Sequence, residues 1–211
     1  MKEKEQVKWV SYLFPAPLSQ FTNNLSTKPM SASAEMPYFI KPSVNMNSEA
    51  KKEAYEIAVA EIDAILNEES NMIMKMATFN CILKTRLPYC YWVGFYIVND
   101  GKLIVGPYQG TLGCLHIDFS KGVCGKTARE QKTQIVGEVH ALDQGSEHIA
   151  CDPNSQSEIV LPVFDKDKRL IAVFDLDSSE TYSFDEIDKH YLERLLKTHF
   201  EERPLIKAYI Q

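Results

Sequence analysis

The stretch YCYWVGFYIVNDGKLIVGPYQG, residues 89–110, decides the fold class. Aromatic and β-branched residues dominate residues 89–98, which is typical of a strand. The tripeptide Asn99-Asp100-Gly101 is a tight-turn signal, and the apolar run after it predicts a second strand antiparallel to the first. A turn this short excludes a parallel crossover, so the sheet is expected to be antiparallel at this point.

Two helices are predicted before this hairpin. Apolar residues recur every three or four positions over residues 48–68 and again over residues 70–86, which is the spacing of an amphipathic helix. Ser48 is the expected N-cap of the first helix, with Glu49 in its first turn.

A second hairpin and a terminal helix follow a loop-rich middle. Residues 121–136 indicate a glycine-marked turn, a short helix and a short strand. The segments SEIVLPVF, residues 157–164, and RLIAVFDLD, residues 169–177, are apolar strands joined by a polar turn. Ser183 and Glu186 match a capping box at the start of the last helix.

This order of elements predicts an α+β fold with a mainly antiparallel sheet. The long helices are expected on one face, whereas the short helix and the polar loop of residues 140–157 cover a pocket on the other. Residues 1–46 are expected to form a loosely ordered N-terminal extension, residues 47–203 the folded domain and residues 204–211 a C-terminal tail.

Charge and composition narrow the classes of partner. A net charge of −6 argues against a nucleic-acid partner, which would require a basic face. The sequence contains no run of about 18 apolar residues, so no membrane span is predicted. Pro15 and Pro17 interrupt the short apolar stretch near the N-terminus, which makes it a poor signal peptide. We expect a cytoplasmic protein, and organelle targeting by the extension stays open.

The cysteines suggest redox or metal chemistry. Five cysteines are an odd number, which argues against a structural disulfide framework. Cys114, Cys124 and Cys151 lie in the loop-rich middle, and Cys124 stands at the predicted start of a helix, where backbone N–H groups lower the pKa of a thiol. A buried structural role for Cys124 is an equal alternative. A mixed Cys/His metal site also stays open, with the nearby histidines His116, His140 and His148.

Three acids are expected to converge at one edge of the sheet. Glu158 begins one strand of the second hairpin, and Asp175 and Asp177 end the other. In an antiparallel hairpin these two ends lie side by side, and residues two apart point to the same face. Crowded carboxyl groups raise one another's pKa, so one of them could donate a proton at neutral pH. The alternative is that all three are solvated strand ends.

Trp92 and Tyr96 lie on the same face of the first predicted strand. Their aromatic rings could form a box for an apolar or sulfur-bearing group, because sulfur packs favourably against ring edges. Ordinary core packing is the alternative interpretation.

Five motifs together resemble a known enzyme family. The motifs WVGFYIV, GPYQG, GCLHIDFSKGVCGKTA, HIACDPNSQSEIVLPV and AVFDLDS are similar to those of the free methionine-(R)-sulfoxide reductases, which are built on a GAF-type domain. The resemblance covers about residues 50–200 and implies a GAF-like fold. Two features depart from the family pattern: the segment of residues 140–151 is a few residues longer, and the extension before residue 46 has no counterpart.

The resemblance implies a role for each of the three middle cysteines. Cys151 matches the sulfur nucleophile, Cys114 the thiol that resolves its sulfenic acid, and Cys124 a second resolving or relay thiol. The implied reaction reduces free methionine (R)-sulfoxide to methionine, and a thioredoxin-like reductant restores the thiols. No metal and no organic cofactor is implied, because the electrons come from thiols.

The resemblance also assigns the acids and the aromatic residues to the substrate. Glu158, Asp175 and Asp177 match the acids that hold the ammonium group and the sulfoxide oxygen, with Glu158 as the expected proton donor. Trp92 and Tyr96 match the walls around the sulfur and its methyl group. The main alternative is a GAF module that senses a small ligand without turnover. The sequence leaves the oligomeric state open, a homodimer included.

Overall fold

The computed structural model describes residues 43–141 and 152–206. These residues fall within one structural unit, residues 38–211. The predicted N-terminal extension lies outside the described residues apart from 43–46, and so does the tail beyond residue 206. His148 and Cys151 also lie outside them.

Six strands of the described chain form one antiparallel sheet in the order β3–β2–β1–β6–β5–β4. The two long hairpins, β1–β2 and β5–β6, meet through β1 and β6 at the centre of the sheet. The predicted α+β class with an antiparallel sheet is therefore confirmed. The strands are β1 Trp92–Asn99, β2 Lys102–Gln109, β3 His116–Asp118, β4 Gln134–Val136, β5 Ser157–Phe164 and β6 Leu170–Ser178.

Three of the helices pack on one face of the sheet and the short one packs on the other. The helices are α1 Ser48–Leu66, α2 Met72–Arg86, α3 Gly122–Glu130 and α4 Glu186–Leu196, which continues into a π-helical turn, Lys197–Glu201. Helix α3 lies on the second face and contacts β3, β5 and β6. None of the described helices is long and apolar enough to cross a bilayer.

The alternation of side chains along each strand divides the interior into two layers. On β1, Phe95 joins the core under the long helices, whereas Trp92 and Tyr96 point to the side of α3. In the first layer Phe95 stacks on Phe174 at 4.3 Å between ring centroids, and Phe79 meets both rings edge-on. The same alternation on β5 and β6 directs the acids away from this core.

Two predicted helix caps are wrong by position. The N-cap of α1 is Asn47, whose side chain accepts from the Ala50 backbone N–H, so Ser48 is the first helical residue. At α4 the capping box is formed by Asp185 and Asp188. The hydroxyl of Ser183 is instead engaged outside the helix, with Asn45, Ser178 and the carbonyl of Glu180.

The last residues of the predicted extension are bonded to the domain. Ser43 and Ser179 exchange two hydrogen bonds, each from a backbone N–H to the other residue's hydroxyl, at 3.1 and 3.0 Å. The Val44 N–H donates to the carbonyl of Pro88. These contacts fix the chain directly before α1.

Candidate active site

The face that carries α3 contains a cavity of about 160 Å³. It lies between α3, the 110–115 loop and the adjacent ends of β5 and β6. The described residues predicted to act in catalysis or substrate binding all line it: Trp92, Tyr96, Cys114, Cys124, Glu158, Asp175 and Asp177. His116 also lines it, whereas Cys151 lies outside the described residues.

The three acids meet as the hairpin geometry predicts. Glu158 pairs directly across the sheet with Asp177, and Asp175 lies two residues away on the same face. One carboxylate oxygen from each residue lies within 4.8 Å of the other two. Glu158 is 9% exposed and Asp175 is 6% exposed, so these carboxyls are not solvated strand ends.

Burial favours the neutral form of these carboxyl groups. It raises the pKa of Asp177 to about 7, although the hydrogen bond from Ser155 lowers that pKa in part. Burial, reinforced by the charge of Asp177, also raises the pKa of Glu158 and of Asp175 well above the usual range of a carboxyl. The cavity therefore holds protonatable acids near neutral pH.

The Asp175 carboxyl group is incompletely satisfied. Its Oδ2 atom accepts from the Cys124 thiol at a distance of 3.3 Å. Its Oδ1 atom is buried and has no hydrogen-bond partner among the described residues. Because buried polar atoms are nearly always paired, this oxygen indicates a missing donor, which an ammonium group could supply.

The three acids could in principle hold a cation of either kind, an ammonium group or a metal ion. Among the described residues, one group of at least three potential ligands could hold a metal ion: Glu158, Asp175 and Asp177. It contains no histidine, so the mixed Cys/His site has no support from His116 or His140. Hard oxygen donors without imidazole do not favour zinc.

The environment of Cys124 corrects one expectation. The residue lies in the first turn of α3, as predicted, but its thiol is buried. Burial, together with the charges of Asp175 and Glu158, raises the pKa of Cys124 well above its usual range. The effect of the helix N-terminus is thus outweighed, and Cys124 is protonated at neutral pH.

The other cysteines differ in state and in exposure. Cys114 is disulfide-bonded and half-buried at the cavity wall. Cys81 carries a free exposed thiol on α2, and Cys90 carries a free buried one directly before β1. Of these three, only Cys114 lies at the cavity.

The aromatic wall is larger than the sequence predicts. Trp92 stacks on Tyr96 with ring centroids 5.7 Å apart and on Tyr108 with centroids 5.4 Å apart. The Trp92 indole N–H donates to the carbonyl of Thr111 at 3.1 Å, which fixes the ring. Tyr108 was missed, although it lies on β2 opposite Gly94 and therefore close to both predicted aromatic residues.

Two further cavity residues, Asp152 and Ser155, were also missed. The Ser155 hydroxyl donates to Asp177 Oδ1 at 2.5 Å, and Ser155 is buried. Asp152 accepts a hydrogen bond from Thr111. The signal that could have found them is their place in the sequence, because both lie between Cys151 and Glu158.

Comparison with known proteins shows which families and relatives this chain is similar to. The GAF domain family matches residues 83–198. GAF domain-containing protein A of Dictyostelium discoideum is 40% identical over 149 residues, which are 70% of this chain and 91% of that protein. The free methionine-R-sulfoxide reductase of Escherichia coli is 35% identical over 146 residues, 69% of this chain and 86% of the relative.

A solved structure gives a similar result. The X-ray structure of free methionine-R-sulfoxide reductase from Neisseria meningitidis, in complex with its substrate, superposes with a TM-score of 0.65 at 35% sequence identity. The match covers 75% of this chain and 92% of the other.

Proposed function

Since this chain belongs to the GAF domain family, in which it has relatives named free methionine-R-sulfoxide reductases, we propose that it reduces free L-methionine (R)-sulfoxide to methionine. The observation that carries this proposal is the cavity itself. Three acids, of which Glu158 and Asp175 are buried, an aromatic stack and the disulfide-bonded Cys114 surround a space of about 160 Å³.

The substrate's ammonium group is held by the acids. Asp175 Oδ1, which has no partner among the described residues, and the adjacent Asp177 carboxylate supply the oxygens for this cation. A peptide-bound residue has no ammonium group and would leave the acids without a cation, which is costly in a buried site. The site therefore selects the free amino acid.

The sulfoxide end lies against the aromatic wall. Trp92 and Tyr96 contact the sulfur and its methyl group, because rings pack favourably against sulfur. Glu158, whose pKa burial raises well above the usual range of a carboxyl, donates a hydrogen bond or a proton to the sulfoxide oxygen. This withdraws electrons from the sulfur and makes it electrophilic.

The nucleophile in this proposal is Cys151. Its neighbour Asp152 and the nearby Ser155 line the cavity, which supports placing the thiol at the same site. The Cys151 sulfur forms a bond with the substrate sulfur, and the sulfoxide oxygen takes up the thiol proton. The resulting hydroxyl group then passes to the Cys151 sulfur, so that the substrate S–O bond and the transient S–S bond break and methionine leaves. The substrate sulfur gains two electrons, and the Cys151 sulfur loses two and becomes a sulfenic acid.

Cys114 then resolves the sulfenic acid. A bond forms between the two sulfurs, the S–O bond of the sulfenic acid breaks, and the oxygen leaves as water with the thiol proton. The disulfide-bonded state of Cys114 supports a resolving role for this residue, whereas Cys81, Cys90 and Cys124 carry free thiols. Cys124 is a second thiol at the cavity that can relay the disulfide.

A dithiol reductant of the thioredoxin type completes the cycle by exchange with this disulfide. We place the reaction in a reducing compartment such as the cytoplasm, where such reductants are present.

A coupled assay tests the proposal. The protein is incubated with racemic free methionine sulfoxide, thioredoxin, thioredoxin reductase and NADPH, and the loss of NADPH is followed. We expect about half of the racemate to be consumed, and N-acetylmethionine sulfoxide to be left unchanged. A GAF sensor without enzymatic activity would be stabilised by the sulfoxide against thermal unfolding but would consume no NADPH.

A further inference from the structure

A side-chain hydrogen bond joins the two chain segments next to the cysteines that form the proposed disulfide. Thr111 Oγ1 donates to Asp152 Oδ2 at 2.5 Å. Thr111 lies three residues before Cys114, and Asp152 directly follows Cys151 in the sequence. We propose that Thr111 and Asp152 are positioning residues, whose hydrogen bond holds the two segments in the arrangement that lets the two sulfurs meet. This inference rests on the proposed pairing of Cys114 with Cys151.

Each partner of this hydrogen bond is fixed independently. The Thr111 carbonyl accepts from the Trp92 indole, which is itself stacked on Tyr96. The Asp152 Oδ1 atom accepts from the backbone and the side-chain nitrogens of Asn154, at 2.9 and 2.7 Å. Two groups that are held in advance lose little conformational freedom when they bond, so this contact can position the segments they belong to.

The chain after Cys151 is also attached to the acids. The Ser155 hydroxyl donates to Asp177 Oδ1, so residues 152–155 are held at the 110–115 loop by one end and at the carboxyl cluster by the other. Asp152 thus accepts three hydrogen bonds, one from Thr111 and two from Asn154, which fix its side chain at the cavity.

Loss of the Thr111–Asp152 hydrogen bond should affect the resolving step and not the attack on the sulfoxide. Methionine formation requires the Cys151 segment, the acids and the aromatic wall, but not the Cys114 thiol. Disulfide closure also requires the Cys114 segment, and its equilibrium depends on the effective concentration of one thiol near the other. Loss of the Thr111–Asp152 bond should lower that effective concentration.

A redox titration tests this without relying on turnover. The protein is equilibrated in dithiothreitol buffers of graded composition, and the disulfide of Cys114 is quantified and mapped by mass spectrometry. Thr111→Val, which removes the hydroxyl and keeps the shape, should shift the equilibrium about 10-fold toward the two thiols. Thr111→Ser, which keeps the hydroxyl, should restore it to within about twofold.

The matched control is Thr133→Val. Thr133 Oγ1 also donates to a carboxylate, Glu193 Oε1, at 2.5 Å, but both residues lie outside the cavity lining. This variant should leave the equilibrium unchanged. An unchanged equilibrium in Thr111→Val, no recovery in Thr111→Ser, or a Cys114 disulfide that excludes Cys151 would each overturn the inference.

A single-turnover experiment separates this inference from the proposed function. The reduced protein is mixed with one equivalent of free sulfoxide, and methionine and disulfide are quantified over time. Thr111→Val should form methionine at nearly the wild-type rate and close the disulfide about 10-fold more slowly. Absence of methionine from the wild-type protein would refute the proposed function, whereas the redox titration would still decide whether Thr111 positions the cysteines.

Discussion

At the scale of single residues, the buried carboxyl group of Asp175 is the feature of the cavity that bears most directly on substrate binding. Its carboxyl group is buried, accepts from Cys124 on one oxygen and presents the other, Oδ1, without a partner among the described residues. Such an oxygen is costly unless a ligand completes it. In our account the ligand is the ammonium group of the substrate, so Asp175 determines the affinity for the free amino acid.

Replacing Asp175 with Asn is therefore expected to lower kcat/KM for free methionine sulfoxide about 30- to 150-fold, because a charge-assisted hydrogen bond is worth about 2–3 kcal/mol. Steady-state kinetics in the coupled assay measure this. Asp167→Asn is the control, since Asp167 pairs with Arg169 in the β5–β6 turn, away from the cavity. A wild-type KM in Asp175→Asn would exclude the ammonium contact.

Cys124 shows where a residue-level rule from sequence failed. Its place in the first turn of a helix was predicted and its burial was one of two alternatives, but its contact with Asp175 was not predicted. That contact comes from a strand distant in sequence, which a local pattern does not reveal.

At neutral pH, iodoacetamide should therefore modify the exposed thiol of Cys81 at least 10-fold faster than the buried, protonated thiol of Cys124. Peptide mass mapping over time gives both rates in one sample of native protein. Equal rates would show that Cys124 is accessible and at least partly ionised.

At the scale of elements, a buried ion pair ties the first helix to the last. The Lys51 ammonium of α1 donates to Asp188 of α4 at 2.7 Å, and both side chains are almost fully buried. The hydroxyls of Tyr55 and Tyr89 donate to the other oxygen of Asp188. The network is fully hydrogen-bonded and lies on the side of the sheet opposite the cavity.

Lys51→Met should lower the free energy of unfolding by about 3–5 kcal/mol, because it leaves the Asp188 carboxylate buried without its cation. Urea unfolding followed by circular dichroism measures the loss. The double variant Lys51→Met/Asp188→Leu should recover part of it, since it removes both charges. A single variant as stable as the wild type would show that Asp188 is neutral in the folded protein.

The elements also show what sequence patterns can and cannot locate. The two long hairpins and the helices α1, α2 and α4 follow from local patterns of apolar and turn residues, which depend on neighbours in the chain. The caps of α1 and α4 depend on which hydroxyl is already engaged elsewhere, as that of Ser183 is by Asn45. The convergence of Glu158 with Asp177 was predictable because hairpin pairing fixes it, whereas the contact of Thr111 with Asp152 joins two loops and was not.

At the scale of the whole molecule, the acidic cavity makes stability depend on pH. The pKa of Asp177 is about 7 in the folded protein and 3.8 as an ordinary carboxyl, so folding favours its protonated form. The resulting stabilisation is fully present below about pH 4 and is lost as the pH rises through about 7. Each pKa unit corresponds to about 1.4 kcal/mol, so the effect amounts to a few kcal/mol.

The ligand-free wild-type protein should thus lose stability relative to Asp177→Asn as the pH rises from about 4 to about 8. Urea unfolding of both proteins across this range gives the difference, in which the titration of groups far from the cavity cancels. A difference that is constant with pH would mean that the pKa of Asp177 is not raised by folding.

The central claim is that Cys151 and the acidic cavity act together on one free methionine sulfoxide. The most direct measurement mixes fully reduced protein with one equivalent of the free (R)-sulfoxide, without reductant, and then quantifies methionine and maps the oxidised cysteines. We predict one methionine per chain, a disulfide between Cys114 and Cys151, and no methionine from Cys151→Ser. Full methionine formation by Cys151→Ser, or none by the wild type, would contradict the account.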